Sequence, residues 1–170
     1  MQMSDTRQIA VPPSEVYAAL LDPEFLKHCV PGAQEVTGSV EEGYVATVVQ
    51  KVGPVKATFK GEVTITDLVP NTSMKIDGAG KGGAAGFAKG GADVRLVEKD
   101  GGTELSYEVE AKVGGKLAQL GSRIIDGFAK KMADQFFDNL QEALEGSAEP
   151  DAEASQEAPK KKGWFGRSKD

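Results

Sequence analysis

The chain has 170 residues, 39% of them hydrophobic, a net charge of −6, one cysteine and one histidine. This length and hydrophobic fraction allow one domain with a sizeable core rather than two. The acidic balance argues against nucleic acid as a partner, and His28 and Cys29 are too few for a disulfide or a four-ligand zinc site.

The sequence predicts neither a targeting segment nor a membrane-spanning segment. Its start, MQMSDTRQIAVPP, lacks a long apolar region after a basic one, and no apolar run reaches the roughly 18 residues of a spanning helix. The lone cysteine fits a reducing compartment. We therefore expect a cytoplasmic protein.

Two short helices are predicted after an initial strand. Pro12 and Pro13 mark a helix start, and apolar residues then recur at helical spacing until Asp22 and Pro23 interrupt them. A second short helix is predicted over residues 24–28.

Six antiparallel strands are predicted in the middle of the chain. Residues 55–65 and 105–113 alternate strictly between apolar and polar side chains, as half-buried strands do. Turn signals separate four less regular strands, at residues 34–39, 44–52, 74–80 and 92–97.

A helical period follows the last strand. One face of a predicted helix of about thirty residues carries Leu117, Leu120, Ile124, Phe128, Met132, Phe136, Leu140 and Leu144. Gly146 is predicted to end this helix. The element order predicts an α+β helix-grip fold over residues 1–145, in which a curved antiparallel sheet wraps around the C-terminal helix.

The last part of the sequence divides by charge. Residues 146–159 contain four acidic and no basic residues and are predicted to be a disordered linker. Residues 160–170 contain five basic residues and one acidic residue. The residues predicted to tether the protein to an anionic membrane are Lys160, Lys161, Lys162, Trp164, Phe165 and Arg167. A solvated tail or a protein-docking peptide are the alternatives.

The glycine-rich stretch from Gly78 to Gly91 contains a G-x-G-x-x-G pattern but leads into a strand rather than a helix, which excludes a nucleotide cradle. Alternation places Gly78, Gly80, Ala88 and Gly90 on the inward face. Such small residues indicate sheet bending or close backbone approach, a cavity for an apolar ligand, or both. The predicted ligand-binding residues are Gly78, Gly80, Ala88 and Gly90 from the strands and Leu117, Leu120, Ile124, Phe128 and Met132 from the helix.

Few residues offer catalytic chemistry. The His28 and Cys29 side chains diverge by about 100° on a helix, so a structural cysteine beside a helix-end histidine is the favoured interpretation over a catalytic dyad. Arg95 and Arg123 are candidates for orienting a ligand head group, although surface arginines are commoner.

Three segments together resemble the G-subunit family of carbon monoxide dehydrogenase, within the START-like polyketide cyclase and lipid-transport superfamily. They are HCVPGA at residues 28–33, the glycine-bearing strands, and residues 113–140, in which LGSR and QFF are the most specific elements. The resemblance spans about residues 1–145. It implies a helix-grip fold with a hydrophobic pocket, and an accessory protein that recruits a molybdenum-containing carbon monoxide dehydrogenase to the inner face of the cytoplasmic membrane. It carries no catalytic motif.

Three functions are therefore open at this point. The first is a non-catalytic membrane adaptor that binds a hydrophobic small molecule, with an isoprenoid quinone or another lipid as the candidate ligand. The second is a START-like enzyme, a cyclase or hydrolase, acting on a hydrophobic substrate. The third is a structural assembly factor whose cavity is filled by its own side chains. A uniformly apolar inward face favours the first, whereas converging polar groups favour the second. No metal or resident cofactor is expected.

Overall fold

The computed structural model describes residues 1–148. The predicted membrane-binding residues and most of the predicted linker lie outside the described residues. The strands are β1 (Gln2–Ile9), β2 (Ala33–Ser39), β3 (Gly43–Val52), β4 (Val55–Val69), β5 (Ser73–Lys81), β6 (Phe87–Lys99) and β7 (Gly102–Gly114). The helices are α1 (Pro13–Leu21), α2 (Pro23–Cys29), α3 (Lys116–Gln119) and α4 (Ser122–Ala148), and a 3-10 turn covers Gly83–Ala85.

The seven strands form one antiparallel sheet in the order β1-β7-β6-β5-β4-β3-β2. The chain thus meanders from β2 to β7, and β1 closes the far edge beside β7. This order, with α4 after the last strand, confirms the predicted helix-grip fold. Each predicted strand is present, and β6 starts five residues earlier than its predicted start at Ala92.

Strand register brings small inward residues together. Gly78 of β5 lies opposite Val63 of β4 and Gly90 of β6, and Gly90 lies opposite Ala111 of β7. The adjoining inward row is Gly61, Gly80, Ala88 and Val113. We call these two rows the glycine section of the sheet.

The core lies at the other end of the sheet. There α1, α2 and the second half of α4 cover the sheet, and the Phe137 ring of α4 stacks on Tyr107 of β7 with centroids 4.8 Å apart. The residues of α4 that are buried in this core are Phe137, Leu140 and Leu144. Packing is therefore concentrated away from the glycine section.

The long helix differs from its prediction at both ends. Gly121 has a φ of 91°, which is outside the helical region, so Leu117 and Leu120 belong to the short α3 and its end, and α4 starts at Ser122. At the other end α4 continues through Gly146 to Ala148, since a helix tolerates an interior glycine at a cost of about 1 kcal/mol. The first three residues of the predicted linker are therefore helical.

Candidate functional site: an apolar hollow between the sheet and the long helix

The inward face of the glycine section is an accessible apolar surface. At the core end of β5 and β6, Met74 and Val94 are only 3% and 6% exposed. Two steps of alternation further from the core on each strand, Gly78 and Gly90 are partly exposed, as are the other six residues of the glycine section. The inward face of the sheet is therefore buried at the core end and accessible to solvent at the other end.

The first half of α4 presents a matching apolar stripe. Ile125, Phe128, Ala129 and Met132 are all partly exposed, whereas Phe137 further along the helix is buried. Their spacing of three and four residues places them on one side of the helix. The partly exposed stripe and the partly exposed glycine section are two accessible apolar surfaces, and we call the space that they bound the apolar hollow.

Arg7 of β1 fixes the second half of α4. Its Nη1 donates to Asp138 Oδ1 at 2.9 Å and to Gln141 Oε1 at 3.0 Å, and its Nη2 donates to the Asp134 backbone oxygen at 3.2 Å. The guanidinium also lies 5.8 Å from the centroid of the Phe137 ring. Burial lowers the pKa of Arg7, but the hydrogen bond and charge of Asp138 and the charge of Asp134 together outweigh it. The pKa of Arg7 is therefore raised. This clamp holds α4 to the sheet from Asp134 onwards.

Smaller contacts line the end of the hollow furthest from the core. A Cβ at Gly82 would lie 2.5 Å from the Phe59 ring, so that ring packs directly on the backbone there. Leu117 is 3% exposed, and its helix α3 contacts the 3-10 turn and β7. Leu120 and Ile124 flank the turn between β3 and β4, where a Cβ at Gly53 would lie 3.9 and 3.5 Å from their side chains.

The inward glycines differ in the space around them. A Cβ at Gly90 would run into the Glu110 backbone oxygen and lie 2.9 Å from the Cα of Ala111, so glycine there permits close approach of β6 to β7. At Gly78 and Gly80 the nearest atoms would be 3.5 and 3.8 Å away, an ordinary contact distance. These two glycines leave space that a side chain could fill.

The predicted ligand-binding residues fall into three groups. Gly78, Gly80, Ala88 and Gly90 lie on the inward face, Phe128 and Met132 lie on the helix stripe, and Leu117, Leu120 and Ile124 lie at the end furthest from the core. The prediction omitted Ile125, because the repeated spacing of four residues selected Ile124, which is 40% exposed. It also omitted Phe59 and Val63, although the alternation along residues 55–65 marks both as inward.

A second hollow, which is open and which we call the outer hollow, follows the outer face of the sheet. It has a volume of about 1210 Å³, and its charged lining residues are Glu62, Lys75, Asp77, Lys89, Asp93, Glu108, Glu110 and Lys112. These residues alternate with the inward residues of their strands, so they lie on the opposite face from the apolar hollow. Arg95 lines an adjoining hollow of about 310 Å³ on this outer face. Its candidate role at the mouth of an apolar pocket is therefore wrong, and Arg123 is an exposed residue in the first turn of α4.

The His28 and Cys29 side chains do not form a reactive pair. Cys29 is fully buried, and its backbone oxygen accepts a hydrogen bond from Asn139 Nδ2 at 2.9 Å, whereas His28 is exposed. Burial raises the pKa of the Cys29 thiol to about 11. At neutral pH the thiol is protonated and closed to solvent, which does not suit a nucleophile.

The described part of the chain offers neither a membrane span nor a metal site. Within residues 1–148 no helix is long and apolar enough to cross a membrane. The same residues contain no group of three or more histidine, cysteine, aspartate or glutamate side chains that could hold a metal ion.

The sheet, the terminal helix and the apolar hollow between them define a helix-grip protein. The model of the CoxG family, the G-subunit family of carbon monoxide dehydrogenase, matches residues 6–145. The chain belongs to this family, which confirms the resemblance seen in the sequence.

Solved structures agree with this fold. A conserved protein from Geobacillus kaustophilus is 28% identical with a TM-score of 0.80, and the match covers 86% of this chain and 97% of that one. A protein from Rhizobium leguminosarum is 17% identical with a TM-score of 0.66, covering 86% and 95% of the two chains. Ara h 8.0201 is 13% identical with a TM-score of 0.59, covering 86% and 98%, and shows the fold alone. A search of curated proteins found no match.

Proposed function

We propose that this protein is a non-catalytic accessory protein of a molybdenum-containing carbon monoxide dehydrogenase and that it binds a hydrophobic small molecule in the apolar hollow. The observation that carries the proposal is the accessible inward face of the glycine section. Its eight residues are all apolar and all partly exposed, although they lie on the face that is buried elsewhere in the sheet.

The chemistry of this surface favours carriage over catalysis. Burial of apolar ligand surface contributes about 25 cal/mol per Å². A catalytic site would also need polar groups converging on the substrate, and the two rows of the glycine section supply none. The buried, protonated Cys29 thiol supplies no nucleophile either. The alternative of a START-like cyclase or hydrolase is therefore less well supported.

The family name supplies the partner in this proposal, since it names a component of carbon monoxide dehydrogenase. A dehydrogenase recruited to the inner face of the cytoplasmic membrane must pass electrons to an acceptor in that membrane. An isoprenoid quinone, with a long apolar chain and no net charge, suits both this need and the apolar hollow. We therefore infer a quinone or a similar lipid as the ligand.

The basic and aromatic residues of the tail are proposed to tether the protein to the membrane as a peripheral protein. The tail residues proposed to contact lipid are Lys160, Lys161, Lys162, Trp164, Phe165 and Arg167. Each basic residue near an anionic surface contributes about 1 kcal/mol, so together they supply reversible attachment.

Native mass spectrometry of the protein purified from its own host tests the ligand. We expect a species heavier than the chain by the mass of a hydrophobic molecule, and fragmentation or extraction then identifies its class. Protein that carries no added mass after gentle purification, and that takes up neither quinone nor phospholipid from mixed micelles, would contradict a binding role.

Co-elution with the dehydrogenase tests the accessory role separately. We expect the contact to lie on the folded domain, so a chain ending at Ala148 should still co-elute with the enzyme. The truncation must keep Leu144 and Glu145, because Leu144 is buried in the core and Glu145 Oε2 accepts a hydrogen bond from the Ala10 backbone nitrogen at 3.0 Å. If only the full chain co-elutes, the tail is the protein-binding element.

A further inference from the structure

The outer face of the sheet carries three pairs of lysines that lie directly opposite each other on neighbouring strands. The pairs are Lys51 with Lys56, Lys60 with Lys81, and Lys89 with Lys112. Like charges placed directly opposite each other in a sheet are destabilising. Three such pairs at one end of one face are therefore unfavourable in the isolated domain.

Neighbouring acidic residues do not neutralise these lysines by direct pairing. All six are exposed, and the ion pairs within residues 1–148 involve Arg7, Lys99 and Lys130 instead. Glu62 lies among them, but the other acidic residues along the outer hollow lie further toward the core end. Those residues are Asp77, Asp93, Glu108 and Glu110. The outer face is thus basic at the end of the glycine section and acidic toward the core.

An exposed aromatic residue lies among the lysines. Phe87 is 47% exposed and pairs with Lys81, which pairs with Lys60, so the three residues form one row on the outer face. A Cβ at Gly114 would collide with the Phe87 ring, so the ring rests on the backbone of β7. We call the six lysines and Phe87 the lysine patch.

We propose that the lysine patch docks on the surface of an anionic lipid bilayer. The patch extends over five neighbouring strands, so its lysines can meet many head groups at once, and an aromatic side chain among cations suits the bilayer interface. The patch lies at the end of the sheet where β3 turns into β4, beside the exposed Ile124. Docking would bring the outer end of the apolar hollow close to the membrane.

This inference rests on the membrane association proposed above and adds a lipid contact on the folded domain. The tail and the patch can be tested separately in the full-length chain. The patch variant is Lys60→Gln, Lys81→Gln, Lys89→Gln. The matched control is Lys27→Gln, Lys75→Gln, Lys131→Gln, which removes the same charge from exposed lysines outside the patch. A third variant, Trp164→Ala, Phe165→Ala, tests the tail.

Co-flotation is measured with vesicles of phosphatidylcholine alone and with added phosphatidylglycerol, at low salt. We expect the patch variant to partition onto the anionic vesicles about tenfold or more weakly than the control, and the corresponding Lys→Arg variant to recover binding. With phosphatidylcholine alone the variants should not differ. Circular dichroism checks that the patch variant is folded. If that variant is unfolded, the Lys→Arg variant still tests whether positive charge at these positions is sufficient for binding.

Equal flotation of the patch variant and the control would overturn the inference. If the tail variant alone loses binding, the tether stands and the patch does not. If no form of the protein floats with anionic vesicles, both membrane proposals are wrong. A patch variant that floats normally but no longer co-elutes with the dehydrogenase would identify the patch as a protein-binding surface instead.

Discussion

At the residue scale, glycines on adjoining strands serve different purposes. Gly90 gives the β7 backbone room to approach, and a side chain there would collide with the Glu110 backbone oxygen. Gly78, directly opposite on β5, has no such constraint and leaves space above the sheet. Glycine at position 90 therefore serves the geometry of the sheet, whereas glycine at position 78 keeps the hollow open. Substitutions at Gly90 test folding, whereas substitutions at Gly78 and Gly80 test the hollow.

The burial of Cys29 predicts that the free energy of unfolding depends on pH. Burial raises the pKa of its thiol from 9.0 to about 11, so between these values the unfolded chain loses a proton that the folded chain keeps. The stability that this thiol contributes is complete below pH 9 and is lost as the pH rises to about 11. We expect a loss of up to about 3 kcal/mol in the free energy of unfolding.

Urea unfolding of the wild type and of Cys29→Ala across this range measures the effect. The alanine variant starts less stable, because it leaves a cavity, but lacks the titrating group. The difference between the two proteins should therefore shrink as the pH rises. A difference that stays constant would show that the Cys29 thiol does not contribute.

At the scale of secondary structure, α4 has two unlike halves. The second half is held by buried apolar residues and by Arg7, whereas the first half carries partly exposed residues over the glycine section. The weakly packed half is expected to open locally at lower free energy. This would let an apolar ligand enter without unfolding of the core.

The Arg7 clamp can be removed without touching the hollow. Arg7→Ala deletes hydrogen bonds to Asp138, Gln141 and the backbone of Asp134, and we expect it to lower the free energy of unfolding by about 1–2 kcal/mol. Amide exchange along α4 should rise most near Asp134. Gln2→Ala at the other end of β1 is the control, since the Gln2 side chain bonds an exposed carboxylate of Glu110. Equal stability of the two variants would contradict the clamp.

The sequence predicted the elements better than the details of the site. Alternation along residues 55–65 and 105–113 identified β4 and β7 because each strand has one buried face. The break at Gly121 was not visible, because Leu117, Leu120 and Ile124 keep a helical period across it. The collision at Gly90 depends on how closely β6 approaches β7, and the outer lysine pairs depend on strand register. Neither property is local in the sequence.

At the scale of the whole molecule, the core, the apolar hollow and the lysine patch occupy different parts of the described domain. Its core lies at one end, and the apolar hollow lies at the other, beneath the first half of α4. The lysine patch occupies the outer face at the same end as the hollow. A protein built in this way could hold an apolar molecule close to a bilayer while leaving its core undisturbed.

The tail, residues 160–170, should strengthen the attachment of the whole protein to the membrane. We expect the full chain to float with anionic vesicles at low salt and the Trp164→Ala, Phe165→Ala variant to float less, because both aromatic anchors are lost. Raising the salt should weaken both, since the lysines and arginine act by charge. Equal recovery of the two proteins would show that these aromatic residues do not contact lipid.

The central claim is that an apolar ligand occupies the space above Gly78 and Gly80. The most direct measurement compares ligand carried by Gly78→Leu, Gly80→Leu with ligand carried by Ala79→Leu, which adds a leucine to the same strand on the outer face. Native mass spectrometry of proteins from the same host, with circular dichroism to confirm folding, gives the occupancy. We predict that the double variant loses the ligand and the Ala79→Leu variant keeps it. A folded double variant that carries as much ligand as the control would contradict the assignment of the hollow.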